Sequence, residues 1–210
     1  KVTLVGNGIV EFIPVGYDVS RTPSLILSHE PEKKGEVPEN WKLVPQFTMT
    51  DGKANASLDV PAGTSLYGGG EVTGPLLRNG QKIKMWNTDN GMYRVDGGSR
   101  LYQTHPWVLG VRSDGTAFGV LFDSFWKAEL ITNSDKIEFN TEGAPFRTYI
   151  IDRESPQAVL KGLAELTGTI SMPPRWAIGY HQSRFSYVPE ARVKEVANTF
   201  REKKIPCDVI

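Results

Sequence analysis

The chain has 210 residues, 39% of them hydrophobic, with 24 basic and 24 acidic side chains. That length suits one large domain or one and a half ordinary ones, and the apolar content is enough for a real core. The balanced charge gives no electrostatic basis for a nucleic-acid or anionic-membrane partner. No apolar run approaches the ~20 residues of a membrane span, and the single Cys207 rules out an internal disulfide.

The opening "KVTLVGNGIV" lacks signal-peptide anatomy, so the expectation is a cytosolic chain or one already processed. "KVTLV" and "GIVEFIPV" are β-rich runs split by "GNG", a turn signal. "RTP" near residue 21 and the charged, Pro-containing stretch 30–41 read as solvated loop. In "FTMTDGKANASLDV" the "DG" pair predicts a hairpin. "HPWVLGVRSDGTAFGVLFDS" is the clearest hairpin, and "WKAELITNSDKIEFNTEG" holds two more strands around "NSD". Many short strands with regular turns predict a mainly β fold, a sandwich over residues 1–152.

Near residue 153 the pattern changes. "ESPQAVLKGLAELTG" predicts a helix with Ser155 as cap, Pro156 in its first turn and Gly168 at its end. Its apolar face would be Val159, Leu160, Leu163 and Leu166. After the breaker "MPPRW", residues 176–182 predict a strand. "PEARVKEVANTFREKK" predicts an amphipathic helix with Val193, Val196, Ala197 and Phe200 on one stripe, and "IPCDVI" a further strand. Strand, helix, strand is a βαβ unit, which makes a parallel pair by a right-handed crossover. Parallel sheets need cover on both faces. The expectation is therefore a β-domain, a linker helix over 153–171, and at 172–210 the opening of a larger α/β domain.

Three stretches could carry chemistry. "GYHQSRFSY" follows a predicted parallel strand, where α/β proteins place ligand sites. Arg184, Phe185 and Tyr187 either line a rim suited to a sugar, which has an apolar face and hydroxyl edges, or Phe185 and Tyr187 are packing residues and Arg184 pairs with a local carboxylate. "LYGGGEVTG" lacks the Lys-Ser/Thr pair of a phosphate loop, and no helix follows it. Its three glycines instead predict a tight bend or close approach of backbone, with Glu71 either a ligand contact or, the favoured reading, a buried structural carboxylate. "KMWNTDNGMY" is either an Asx turn or a loop that reaches a ligand through Asp89. His29, His105 and His181 have no metal-type spacing, and no Ser-His-Asp order or nucleophile elbow is visible.

Taken together, "LYGGGEVTGPL", "MWNTDN", "LYQTHPWVL", "GVLFDS", "PPRWAIGYHQSRFSY" and "FREKKIPCDVI" resemble glycoside hydrolase family 31, the α-glucosidase and α-xylosidase family. The likeness runs from about residue 60 to the end, with the blocks in the family's order. It implies an N-terminal β-sandwich followed by a (β/α)8 barrel of which this chain holds the opening. It also implies a sandwich loop at the barrel mouth, carrying Thr88 and Asp89, with Asp89 hydrogen-bonding sugar hydroxyls near the leaving-group subsite. Phe185, beside Arg184, would be a wall of the first subsite. Many relatives carry Tyr or Trp there, so any hydrogen bond from that position is lost with Phe. The implied chemistry is retaining hydrolysis of terminal α-linked glucose from oligosaccharides by two carboxyls ~5–5.5 Å apart, the acid kept protonated by its surroundings, with no metal or organic cofactor.

In the family both catalytic aspartates come from later barrel strands, so none is assigned among these residues. Asp152 precedes the linker helix, and Asp208, inside a predicted strand, is structural. The expected partners are an α-linked oligosaccharide and the remainder of the barrel, and the 210 residues alone are expected to be inactive. The competing readings are a non-catalytic carbohydrate-binding sandwich and a sandwich serving only as an oligomer contact. "IPCDVI" separates the hydrolase fragment from the carbohydrate-binding module, because a free-standing module has no use for a crossover helix and a second parallel strand.

Overall fold

The computed structural model describes residues 1–18, 23–26, 32–94 and 96–210. "RTP" and His29 fall in part or wholly outside them. Two compact units are present, Lys1–Gly168 and Thr169–Ile210. The first holds the strands β1 (Val2–Gly6), β2 (Ile9–Phe12), β3 (Gln46–Thr50), β4 (Lys53–Asp59), β5 (Ser65–Gly68) and β6 (Gln81–Met85). It continues with β7 (Trp107–Val111), β8 (Ala117–Asp123), β9 (Ala128–Thr132), β10 (Lys136–Thr141), β11 (Arg147–Arg153) and the helix α1 (Pro156–Thr167).

These strands form an antiparallel sandwich. One sheet runs β1-β2-β11-β8-β7-β5 and the other β3-β4-β10-β9-β6. The hairpins sit where the turn residues place them. Asp51 and Gly52 both take positive φ, 52° and 76°, between Thr50 and its partner Lys53. Such a pair matches the right-handed twist of the flanking strands. In the β7–β8 hairpin two glycines make room for rings. A Cβ on Gly110 would meet the Phe118 ring at 2.3 Å, and one on Gly119 the Trp107 ring at 1.9 Å. The stretch 32–41 is less detached than its charge suggests. Lys34 N donates to Leu4 O at 2.8 Å, and Val37 and Trp41 pack against the core.

Burial differs between the sheets in a way the sequence shows. β4 and β10 alternate buried and half-exposed residues, because one face meets the core and the other meets water. β8 is buried throughout. Its Phe118, Val120 and Phe122 face the second sheet, while Ala117 and Leu121 join Val159 and Leu166 of α1 on the other side. The inter-sheet core centres on Phe122 stacked on Phe139 at 4.6 Å, with Phe146 edge-on to both. Behind the core, buried Glu11 accepts from the Tyr149 hydroxyl at 2.9 Å and lies 3.7 Å from the Arg147 guanidinium.

Helix α1 begins and ends as predicted. Ser155 Oγ accepts from Ala158 N at 3.2 Å, and Gly168 donates to Ala164 O at 2.9 Å. It packs onto the six-stranded sheet as part of the first unit. Its buried stripe is Val159, Gly162 and Leu166, with Leu163 beside them, whereas Leu160 is 49% exposed. At 100° per residue, Leu160 lies off the arc shared by positions 159, 162, 163 and 166. Gly162 brings the helix close, since a Cβ there would sit 2.8 Å from the Ile151 side chain.

The second unit corrects two expectations. Residues 176–182 are not a strand: Arg175–Ile178 form a single 3-10 turn. "IPCDVI" is not an extended strand either, and the two segments share one parallel bridge, His181 with Val209. The parallel sense is that of a βαβ crossover, but a lone pair of parallel segments has no sheet faces covered on both sides. Ile178 and Ile205 accordingly stay exposed. The crossover helix α2 (Glu190–Glu202) is present. Its predicted stripe is half-buried, with Phe200 lying 6.2 Å from the Tyr180 ring. Asp208 is structural, as expected: its carboxylate accepts from Tyr180 N at 3.2 Å. It occupies the space a Cβ on Gly179 would need.

Candidate functional site

At one end of the sandwich three loops meet. The first continues β5 through the glycines. Gly69 N donates to Trp107 O at 3.0 Å and Glu71 N to Gln103 O at 2.8 Å. A Cβ on Gly70, whose φ is +87°, would lie 2.6 Å from both Gln103 O and His105 N. The glycines therefore serve close backbone approach rather than phosphate binding. The buried Arg78 supports this loop from within, its guanidinium donating to the carbonyls of Gly68, Thr73 and Val72 at 3.3–3.4 Å. Sequence reasoning missed this residue. Its only signal was an arginine amid the turn residues of "GPLLRNG".

The second loop continues β6 as Trp86–Asn90 and is tied to the third, residues 100–104. Thr88 N donates to Leu101 O at 2.9 Å. Asn90, 2% exposed, donates to Arg100 O at 2.7 Å, and Thr104 Oγ1 donates to Asn87 Oδ1 at 2.9 Å. Asn87 and Asn90 thus use their side chains across the gap, not in a local Asx turn. The Asp89 carboxylate is left exposed, beside a half-buried Thr88.

Tyr102 completes the cluster. Its backbone N–H donates to Glu71 Oε2 at 3.1 Å. Desolvation and the nearby Asp89, Glu71 and Tyr93 hold its phenol above the ordinary range. Glu71 thus holds the Tyr102 backbone, but it is exposed rather than buried as expected. Trp86, Met92 and Tyr93 are exposed on the same loops. Carboxylates among half-exposed aromatic faces can accept from hydroxyls while rings cover C–H surface, an arrangement suited to a polyhydroxylated ring.

Arg184 and Phe185 belong to the second unit. Arg184 does not pair with a local carboxylate. Its guanidinium lies over the Tyr187 ring, 5.5 Å from the centroid. Tyr187 OH accepts from Gln182 Nε2 at 2.9 Å. Tyr187 is therefore a packing residue, whereas Phe185 is fully exposed. Among the described residues no group of three or more His, Cys, Asp or Glu could hold a metal ion. Among the described residues, too, no helix is long and apolar enough to cross a membrane.

Comparison with known proteins adds a second line of observation. Residues 16–130 match the model of the glycosyl hydrolase 31 N-terminal galactose mutarotase-like domain. Residues 170–210 match the glycosyl hydrolases family 31 TIM-barrel domain. Alpha-glucosidase 2 of Bacillus thermoamyloliquefaciens is 43% identical over 69% of this chain, which spans 18% of that protein. An alpha-glucosidase of Hordeum vulgare is 30% identical over 81% of the chain, again about a fifth of its own length, 20%. Among solved structures, a family 31 alpha-glucosidase from Bacteroides thetaiotaomicron is 69% identical, with a TM-score of 0.69 over 76% of this chain and 27% of its own. A Flavobacterium johnsoniae dextranase complexed with glucose is 30% identical, with a TM-score of 0.68 over 77% of this chain and 20% of its own.

Proposed function

Because the chain belongs to glycoside hydrolase family 31, we propose that it is the N-terminal part of a retaining α-glycosidase that releases terminal α-linked glucose from oligosaccharides. Residues 172–210 open the catalytic barrel, and the catalytic aspartates lie beyond residue 210. Asp89 and Thr88 contact sugar hydroxyls, Phe185 gives a ring face to a sugar, and Arg184 flanks it. The observation that carries this reading is the exposed Asp89. Three neighbouring residues are committed to hold its loop, while its carboxylate faces outward among aromatic side chains.

The chemistry follows from that role. A carboxylate accepts two hydroxyl hydrogen bonds, and charge-assisted bonds of this kind are the strong ones. In retaining hydrolysis one carboxylate attacks the anomeric carbon to form a glycosyl-enzyme. A second carboxylic acid gives its proton to the leaving oxygen, then takes one from the water that releases the sugar. Side chains that position the sugar raise the fraction of bound substrate in the reacting geometry.

The choice of glucose rests on the relatives that are named alpha-glucosidases. An alpha-xylosidase of Emericella nidulans at 28% identity supplies the alternative to be tested. The full-length protein is assayed on aryl α-glucoside and aryl α-xyloside, with the anomer released followed by NMR. Faster turnover of the glucoside with release of the α-anomer is the expected result. Turnover by the 210-residue chain alone, an inverted product, or a preference for the xyloside would each overturn part of the proposal.

A further inference from the structure

The two residues that flank Asp89 are both bonded to the third loop. Thr88 N donates to Leu101 O at 2.9 Å, and Asn90 Nδ2 donates to Arg100 O at 2.7 Å. One residue further back, Asn87 Oδ1 accepts from Thr104 Oγ1 at 2.9 Å. Asp89 is therefore placed only as well as residues 100–104 are placed. Those residues belong to no strand or helix, so their position is set from outside.

It is set by the first loop, through one residue used twice. Glu71 N donates to Gln103 O at 2.8 Å, and Glu71 Oε2 accepts from Tyr102 N at 3.1 Å. Gly70 lets the two backbones come this close, since a Cβ there would lie 2.6 Å from both Gln103 O and His105 N. Buried Arg78 holds Gly68 O, Val72 O and Thr73 O, the carbonyls on either side of Glu71. Arg78 is in turn tied to both sheets: its backbone N–H donates to Leu66 O of β5 at 2.7 Å, and its carbonyl accepts from Thr132 Oγ1 of β9.

We infer that Glu71 is a positioning residue for Asp89: it clasps the backbone of residues 102–103 and so extends the order of the sheets to the loop that carries Asp89. This role rests on the proposed contact of Asp89 with sugar. The clasp requires an acceptor oxygen rather than a charge, because its donor is a backbone N–H. A loop ordered in advance binds better, since less freedom is lost when the sugar arrives.

The test uses the full-length protein and four variants: Glu71→Ala, Glu71→Gln, Asp89→Ala and the double variant Asp89→Ala/Glu71→Ala. Losing one hydrogen bond of this kind is worth about a threefold to tenfold change. Glu71→Ala should raise KM for the aryl α-glucoside by about that factor with kcat within about twofold, the signature of lost uniform binding. Glu71→Gln keeps an acceptor oxygen and should bring KM back to within about twofold of the parent. The double variant should match Asp89→Ala, since residues acting through one contact are not additive. Glu71 is exposed, so its variants should keep the parent melting temperature. Amide hydrogen exchange reads the clasp without substrate: the Tyr102 and Thr88 N–H groups should exchange faster in Glu71→Ala and at the parent rate in Glu71→Gln.

Unchanged kinetics for Asp89→Ala would remove Asp89 from the site, and the role of Glu71 in binding with it. Impaired Asp89→Ala with silent Glu71→Ala would leave the site standing and overturn the inference alone. A Glu71→Gln variant as impaired as Glu71→Ala would assign the effect to the charge, and effects that multiply in the double variant would make Glu71 a contact in its own right. Either overturns the positioning role. Exchange at Thr88 that ignores Glu71→Ala would break the path from the clasp to Asp89 and overturn it as well.

Discussion

Lys1–Gly168 and Thr169–Ile210 bury their apolar residues very differently. In the first unit Phe122, Phe139 and Phe146 lie between two sheets, each 2% exposed or less, and α1 seals the back of one sheet. In the second unit, among the described residues, Cys207 is the one that is buried, while Ile170, Met172, Ile178 and Phe185 face solvent. Yet α2 forms in the second unit as regularly as α1 forms in the first. The difference teaches what each kind of element requires. A helix closes its own hydrogen bonds within four residues, so it can form without a core. A strand is only as complete as its neighbours, and His181 with Val209 has a single bridge where the sequence predicts a parallel pair.

Four measurements can break or sharpen that contrast. Phe122→Ala removes the centre of the aromatic stack and should cost about 3–5 kcal/mol, read as a loss of several degrees in the melting temperature. A shift below one degree would mean that the inter-sheet packing does not hold the unit.

Tyr149 gives a pH-dependent measure of the cluster on the other face of the same sheet, beneath α1. Burial, with the Glu11 charge and against the pull of Arg147, holds its hydroxyl above the ordinary 10.0. A raised folded value stabilises the unit in full below the unfolded value and loses that contribution as pH rises through the folded one. The melting temperature should therefore fall above about pH 10, and fall less steeply in Tyr149→Phe. Equal alkaline slopes would remove Tyr149 as the cause.

Ser155→Ala deletes the cap of α1 and should cost about 1 kcal/mol by chemical denaturation. A null result would show that sheet packing, not the cap, sets where the helix begins.

Phe185→Ala should change stability by less than about 0.5 kcal/mol, as expected for an exposed residue. In the full-length protein it should weaken substrate binding by about 1–3 kcal/mol, the worth of a ring buried against sugar. A loss of stability comparable to that of Phe122→Ala would give the second unit a core after all.

Much of this was legible in the chain. The "DG" and "SDG" hairpins, the Ser155 and Gly168 helix ends and the close approach of the glycines at 68–70 are all set by backbone conformations that a few residues dictate. For the candidate site, Asp89 and Thr88 were visible through family likeness, but their supports were not. Arg78 reads as a turn arginine and Tyr102 as one more aromatic until their neighbours are known.

What the amino-acid order determined by itself is local: where strands turn, where helices start and stop, and which runs are apolar on one face or two. Only the tertiary structure decided which distant segments meet. It placed Glu11 against Tyr149, 138 residues away, and Glu71 against Tyr102, 31 residues away. It also set α1 onto the sheet and left the second unit's strand pair at one bridge. The physical reason is the range of the forces involved. Turn and helix preferences act within four or five residues, whereas burial and cross-loop hydrogen bonds reward contacts without regard to separation along the chain.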